Sequence, residues 1–198
     1  MGKLDLILTR QSASAKALGE PAPSDAELEP VFAAAVTAPD HGAIRPWRFF
    51  LLRGSARERL ADLFVDFLRR RKPDVSEEEV ETLRGKPLRA PLIIAVAARV
   101  TPDHPKVPPQ EQIWSAAQAA QNILLALHGL GWGAVQLSGL HTYDPEVKAA
   151  FGLGEEDAIV GFIYVGTPTG EARVKKRPDP KRFVREWRGP VSEDAAAE

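Results

Sequence analysis

The sequence predicts an α+β fold: a mixed sheet of four or five strands, helices on both sides, and a C-terminal arm. Three observations carry this. Leu92 to Val100 is nearly continuously apolar, as in a strand buried on both faces. Leu60, Leu63, Phe64, Phe67 and Leu68 recur at helical spacing, and a longer helical pattern runs from Gln110 to about Leu130. From residue 173 the chain changes character and becomes strongly basic. With 198 residues, 44% of them hydrophobic, the chain is long enough for one cored domain, residues 1–172, plus an arm, residues 173–198.

Taken in order, Leu4, Ile7 and Leu8 give a short helix from Lys3 to Thr9, followed by Arg10-Gln11-Ser12-Ala13-Ser14. An arginine there either complements the negative helix end or offers its planar fork to an anion; both readings stand at this point. Pro21-Ala22-Pro23 is a break. Ser24 and Glu27 form a capping-box pattern for a helix reaching about Thr37, with Leu28, Val31, Phe32 and Ala35 on one face. The turn from Ala38 to Pro46 follows. Pro39 and Pro46 hold it extended, and it carries Asp40, His41 and Arg45. Trp47 to Leu52 reads as a strand. Ser55 and Glu58 form a second capping pattern for the helix through Arg71, and Ser76 and Glu79 a third, for a short helix to Arg84.

After the buried strand at Leu92 comes a proline-rich loop, Thr101 to Pro109, then the long alanine-rich helix. Its small residues suit either a helix interface or a plain core position; at ~30 Å it spans the domain. Gly129 to Gly133 ends it as a glycine cap. It is not a dinucleotide fingerprint, which would follow a strand and open a helix. Ala134 to Leu137 is a strand leading to Ser138-Gly139. Asp144 and Pro145 start a short helix stopped at Gly152, and Ile159 to Val165 is the last strand. Ser192 to Glu198 reads as an acidic tail.

Several classes are excluded. The net charge of −1 offers no basic surface for nucleic acid. No cysteine is present, so there is no disulfide, thiolate metal site or Cys nucleophile. His41, His104, His128 and His141 have no metal-ligand spacing, so no metal is expected. Ser138 lacks a nucleophile-elbow frame, and no phosphate-binding P-loop occurs. No run approaches the ~18 apolar residues of a membrane span, and no signal peptide is read, so a cytoplasmic location is expected.

The turn Ala38–Phe50 resembles the flavin-contacting segment of the nitroreductase family, whose usual form is Ser/Ala-Pro-Ser-x-x-Asn-x-Gln-Pro-Trp-x-Phe. Pro39, Pro46, Trp47 and Phe49 match it; Ala43 and Arg45 stand where that form has Asn and Gln. The Pro-Asp-His variant resembles a short NAD(P)H-nitroreductase subgroup. Arg10 to Ser12 resembles the family's N-terminal Arg-x-Ser, which grips the FMN phosphate; Ser14 stands where many members carry a cation. Gln136, Leu137, Ser138 and Gly139 fall where the family lays backbone against the flavin ring, and Lys175 and Arg177 match a late Lys-x-Arg.

The resemblance implies a nitroreductase-like homodimer with FMN at the subunit interface. It implies a ping-pong cycle carrying hydride from NADH or NADPH to a nitroaromatic or quinone-like small-molecule acceptor, with no side-chain catalyst. FMN contacts are then expected at Arg10, Gln11, Ser12, Thr37, His41, Gln136, Leu137, Ser138, Gly139 and Arg177. A nicotinamide contact is implied at Ala126, Leu127, His128, Gly129, Leu130 and Gly131. Three alternatives stay open: another flavin reaction on this fold, such as enone reduction, dehydrogenation or flavin reduction; a non-catalytic FMN-binding or storage protein; and a flavin-free interaction domain. Phe183, Val184 and Trp187 are expected to anchor the arm.

Overall fold

A computed structural model describes residues 4–170, 176–187 and 189–190. The elements in chain order are α1 (Asp5–Thr9), β1 (Leu18–Gly19), α2 (Asp25–Ala35), β2 (Trp47–Arg53), α3 (Ser55–Arg71), α4 (Glu77–Arg84), β3 (Leu92–Ala98), α5 (Pro109–Gly129), β4 (Gly133–Leu137), α6 (Pro145–Ala150) and β5 (Ala158–Pro168). The α+β class and the five strands agree with the sequence. The two-residue β1 has too few side chains to show a period and was not foreseen.

β5 is the strand on which the sheet is assembled. It pairs with β3 along one edge, with β4 along the other, and with β1 through Leu18 and Gly19; β2 pairs with β3. Every one of these pairings is antiparallel, where a mixed sheet was expected. The reason lies in the topology. β3 and β4 run in the same direction and are joined by α5, as in a parallel crossover, but β5 is inserted between them. The parallel relation exists only between strands that do not touch.

β3 is buried along its whole length because helices cover both faces. Its residues alternate between two cores. Ile93, Ala95 and Ala97 pack with Phe64 and Phe67 of α3 and Val147 of α6. Leu92, Ile94 and Val96 pack with Leu28 and Val31 of α2 and Ile123 and Leu127 of α5. β5 changes parity part-way: Ile159 shares a core with Phe162 and Tyr164, while Val160 packs on the side of Ile163 and Val165. A bulge explains the switch, since Val96 pairs with Gly161 but Ala97 with Ile159, leaving Val160 unpaired.

Two of the expected capping boxes form, Ser24 with Glu27 and Ser76 with Glu79. The third does not. Gly54 is the N-cap of α3, Ser55 is already helical, and its hydroxyl accepts from Arg59 instead. Asp144 caps α6 by accepting from the amides of Glu146 and Val147. α1 crosses the far end of α5, with Leu6 against Gly129 and Thr9 Oγ1 3.0 Å from His128 Nε2. Its Leu4, Ile7 and Leu8 remain exposed in the single chain.

Candidate functional site

The turn after α2 is built under strain. Gly42, Ala43 and Arg45 all have positive φ, at 72°, 53° and 55°. Ala43 and Arg45 are the non-glycine residues with positive φ among the described residues. Such backbone persists only where surrounding contacts fix it. Asp40 Oδ2 accepts from the Arg45 amide at 2.7 Å, bridging the turn. Arg48 donates to the carbonyls of Arg45 and Trp47 at 2.9 and 2.8 Å. A Cβ on Gly42 would lie 3.1 Å from Val107, so the turn rests directly on the proline-rich loop. That loop is held by Gln112, a buried side chain bonded to Thr101 N, Thr101 O and Val107 O.

The two candidate cofactor residues of this region attach to α5. His41 Nδ1 lies 2.7 Å from Glu111 Oε2. Thr37 Oγ1 donates to Ala34 O at 2.8 Å, and Asn122 Nδ2 donates to Ala34 O and to Thr37 Oγ1 at 3.1 and 3.3 Å.

A second group forms around the N-terminal segment. Arg10 leaves α1 in extended conformation. The Ala13 amide donates to Ala134 O at 3.0 Å, laying the Arg10–Ser14 segment beside β4. A guanidinium nitrogen of Arg177 donates to the carbonyl of Arg10, so the late segment returns to the first turn of the chain. Neither Arg10 nor Arg177 has a carboxylate partner among the described residues. Lys175, the other half of the late Lys-x-Arg, lies outside the described residues, as do Arg173, Arg188 and the tail from Ser192. Phe183, Val184 and Trp187 are exposed and touch no core of their own chain.

Between the two groups lies the end of β4. Gln136 Nε2 donates to Val160 O at the bulge, 3.2 Å away. A Cβ on Gly161 would come within 2.9 Å of Gln136 Nε2 and 3.1 Å of Leu137 O, so only glycine lets this strand end lie so close. Leu137 and Ser138 are exposed, and Gly139 O accepts from the Thr142 amide and hydroxyl at 2.9 and 2.7 Å. Beneath Gly139 sits His141, stacked 3.9 Å from Phe64 with Phe162 beside it. Burial, helped by the charge of Lys86, pushes the His141 pKa down to about 4.

The nicotinamide candidates divide. Leu127 is fully buried, and the carbonyls of Ala126, Leu127 and His128 accept from Leu130, Trp132 and Gly131 to close the helix. Gly129, Leu130 and Gly131 remain on the surface.

Within one chain, Arg10, Gln11, Ser12 and Arg177 assemble at the C-terminal end of α5, and His41 sits at its N-terminal end. His41 and Thr9 are tied to α5 at Glu111 and His128, about 25 Å apart along the helix. Glu111 and Asn122 escaped the sequence reading, and His141 was weighed there as a metal ligand. No short-range pattern links Glu111 or Asn122 to the turn. Gly161 did carry a signal, an isolated glycine inside a strand pattern. Among the described residues, no cluster of three or more His, Asp or Glu side chains could hold a metal ion.

An antiparallel sheet between two helical layers, with a strained helix-to-strand turn and an extended N-terminal segment beside β4, defines an α+β sandwich class. The chain belongs to the Nitroreductase family, whose model matches residues 7–167. It is 40% identical over 185 residues to "Putative NAD(P)H nitroreductase YdjA" of Escherichia coli K12, covering 93% of this chain and 98% of that protein. A similarly named Haemophilus influenzae protein is 34% identical over 189 residues, covering 93% and 98%. The fold is shared with a nitroreductase-like protein of Bacillus cereus at TM-score 0.79, 22% identity and coverage of 96% and 97%. It is also shared with a Desulfovibrio desulfuricans protein solved in complex with FMN, at TM-score 0.67, 23% identity and coverage of 94% and 97%.

Proposed function

We propose that this protein is an FMN-dependent oxidoreductase that takes electrons from NADH or NADPH and delivers them to a nitroaromatic or quinone-like acceptor by a ping-pong mechanism. The observation that carries the reading is Arg177 on the carbonyl of Arg10. The Arg177 guanidinium is brought to the backbone of Arg10, and neither arginine has a carboxylate partner among the described residues, an arrangement that favours an anion beside this segment. Arg10, Ser12 and Arg177 suit the FMN phosphate, since arginine forks and a hydroxyl match phosphate oxygens. Bound there, FMN would supply the hydride carrier, accepting from the nicotinamide and giving to the second substrate.

The chain's own residues hold, orient and shield. Gln136, Leu137, Ser138 and Gly139 offer an exposed strand end whose close packing is set by Gly161. The exposed ends Leu130 and Gly131 remain available to the nicotinamide. The α5 contacts of His41 and of Thr9, the residue before Arg10, lie about 25 Å apart along the helix, so in this reading a second copy supplies His41, and with it Thr37 at the start of the same turn. The protein is then a homodimer with two shared sites. The exposed apolar side chains of Leu4, Ile7 and Leu8 on α1 and Trp114 on α5 suit that contact. In the same reading residues 1–172 form the flavin domain, and residues 173–198 reach over the second copy through Phe183, Val184 and Trp187. A cytoplasmic location accords with NAD(P)H as donor.

The test is the visible spectrum of protein mixed with FMN, desalted, and then given NADH or NADPH without oxygen. Retained flavin bands that bleach are expected. Bands that persist would favour a storage protein, and a colourless protein would overturn the flavin reading.

A further inference from the structure

The contact between His41 and Glu111 has a chemical consequence beyond its stability. Both side chains are substantially exposed, 58% for His41 and 36% for Glu111, and ion pairs in such positions add little to folding. What the contact does fix is the ring. An ionised carboxylate only accepts, so Glu111 Oε2 at 2.7 Å draws the hydrogen onto Nδ1. In the neutral ring this leaves Nε2 as a bare acceptor. Partners of this kind decide which histidine nitrogen meets a ligand in metal sites, and the same logic holds for an organic one.

The rest of the turn leaves His41 little freedom. On one side Asp40 bridges to the Arg45 amide; on the other Gly42 lies against Val107, which Gln112 anchors to the start of α5. Glu111 belongs to the first turn of that same helix. The backbone of His41 and the carboxylate that reads its ring are therefore carried on one rigid base.

We infer that Glu111 is a positioning residue of the cofactor site: it selects the Nδ1–H tautomer of His41 and so presents Nε2 as a hydrogen-bond acceptor to a hydroxyl or N–H of the bound flavin. This rests on the reading that His41 faces FMN. Neither Glu111 nor its effect on the ring has a counterpart among the FMN residues read from the sequence.

The experiment combines ¹⁵N NMR of the histidine rings in cofactor-free protein with FMN titration of wild type, E111A, E111Q and R10A. In wild type His41 shows the Nδ1–H tautomer, and in E111A that preference is lost. FMN affinity falls about fivefold or more in E111A, whereas E111Q, whose amide oxygen still accepts from Nδ1–H, stays within about twofold of wild type. Thermal unfolding of the variants is unchanged. The inference is overturned if His41 keeps Nδ1–H in E111A, if E111A binds FMN as wild type does, or if E111Q is weakened as much as E111A. Those outcomes differ from failure of the underlying reading, in which wild type itself binds no FMN or R10A binds it unchanged.

Discussion

At Arg10 the side chain carries a full charge and has no carboxylate to answer it among the described residues, while Arg177 comes to rest on its carbonyl. Losing a charge-assisted hydrogen bond from Arg10 should weaken FMN binding by roughly 1.5–3 kcal/mol in Arg10→Ala, read by fluorescence titration. An unchanged affinity would remove Arg10 from the site. His141 works by a different physical rule. Its ring is enclosed by Phe64, Phe67 and Phe162 and titrates at about 4 because burial disfavours the charged form. The unfolded chain binds this proton near pH 6.5, so folding gains nothing from it above that pH and is opposed as pH falls. Stability is therefore full above about pH 6.5 and lost progressively down to about pH 4. Urea unfolding at pH 7 and pH 4.5 should show this loss in wild type. His141→Phe should flatten that interval; an unaltered pH dependence would assign the acid sensitivity to other groups.

Among the elements, β5 shows how a local irregularity shapes the strand end beside it. Its bulge at Val160 turns the strand and exposes Val160 O to Gln136, and Gly161 at φ 156° accepts the close approach of β4. Gly161→Val should destabilise the fold by roughly 1–3 kcal/mol, because the new side chain meets Leu137 O, a backbone atom with little room to move. Chemical denaturation measures this, and a neutral result would show that β4 can shift without cost. Most elements were legible in the sequence where periodicity or caps spoke. Leu92 to Val100 read as a doubly buried strand, which the structure forms from Leu92 to Ala98, and Ser24, Ser76 and Asp144 cap their helices as read. Ser55 misled because the Ser-x-x-Glu pattern does not record that Gly54 already occupies the cap position at φ 51°. The order of the strands was not legible at all. Nothing local in β5 announces that it enters between β3 and β4, and that insertion is what makes every pairing antiparallel.

For the whole molecule, the length of α5 sets the separation of the two groups of candidate site residues. The points where His41 and Thr9 attach to it, Glu111 and His128, lie about 25 Å apart along its axis. The sequence supplied the candidate site residues one stretch at a time, by resemblance. The same resemblance implies that Thr37 and His41 come from the partner subunit; what no local pattern supplied is where each stretch docks on α5, because that depends on packing rather than on residue type. No described helix is long and apolar enough to cross a membrane. The most direct measurement is therefore complementation between protomers. Arg10→Ala and His41→Ala are prepared separately, mixed one to one, allowed to exchange subunits, and assayed for tightly bound FMN. If each flavin takes Arg10 from one chain and His41 from the other, random exchange restores about one quarter of the sites to full affinity. If both residues serve the same site from one chain, or FMN is not shared between chains, mixing restores none, and the two-chain flavin site proposed for this protein is wrong.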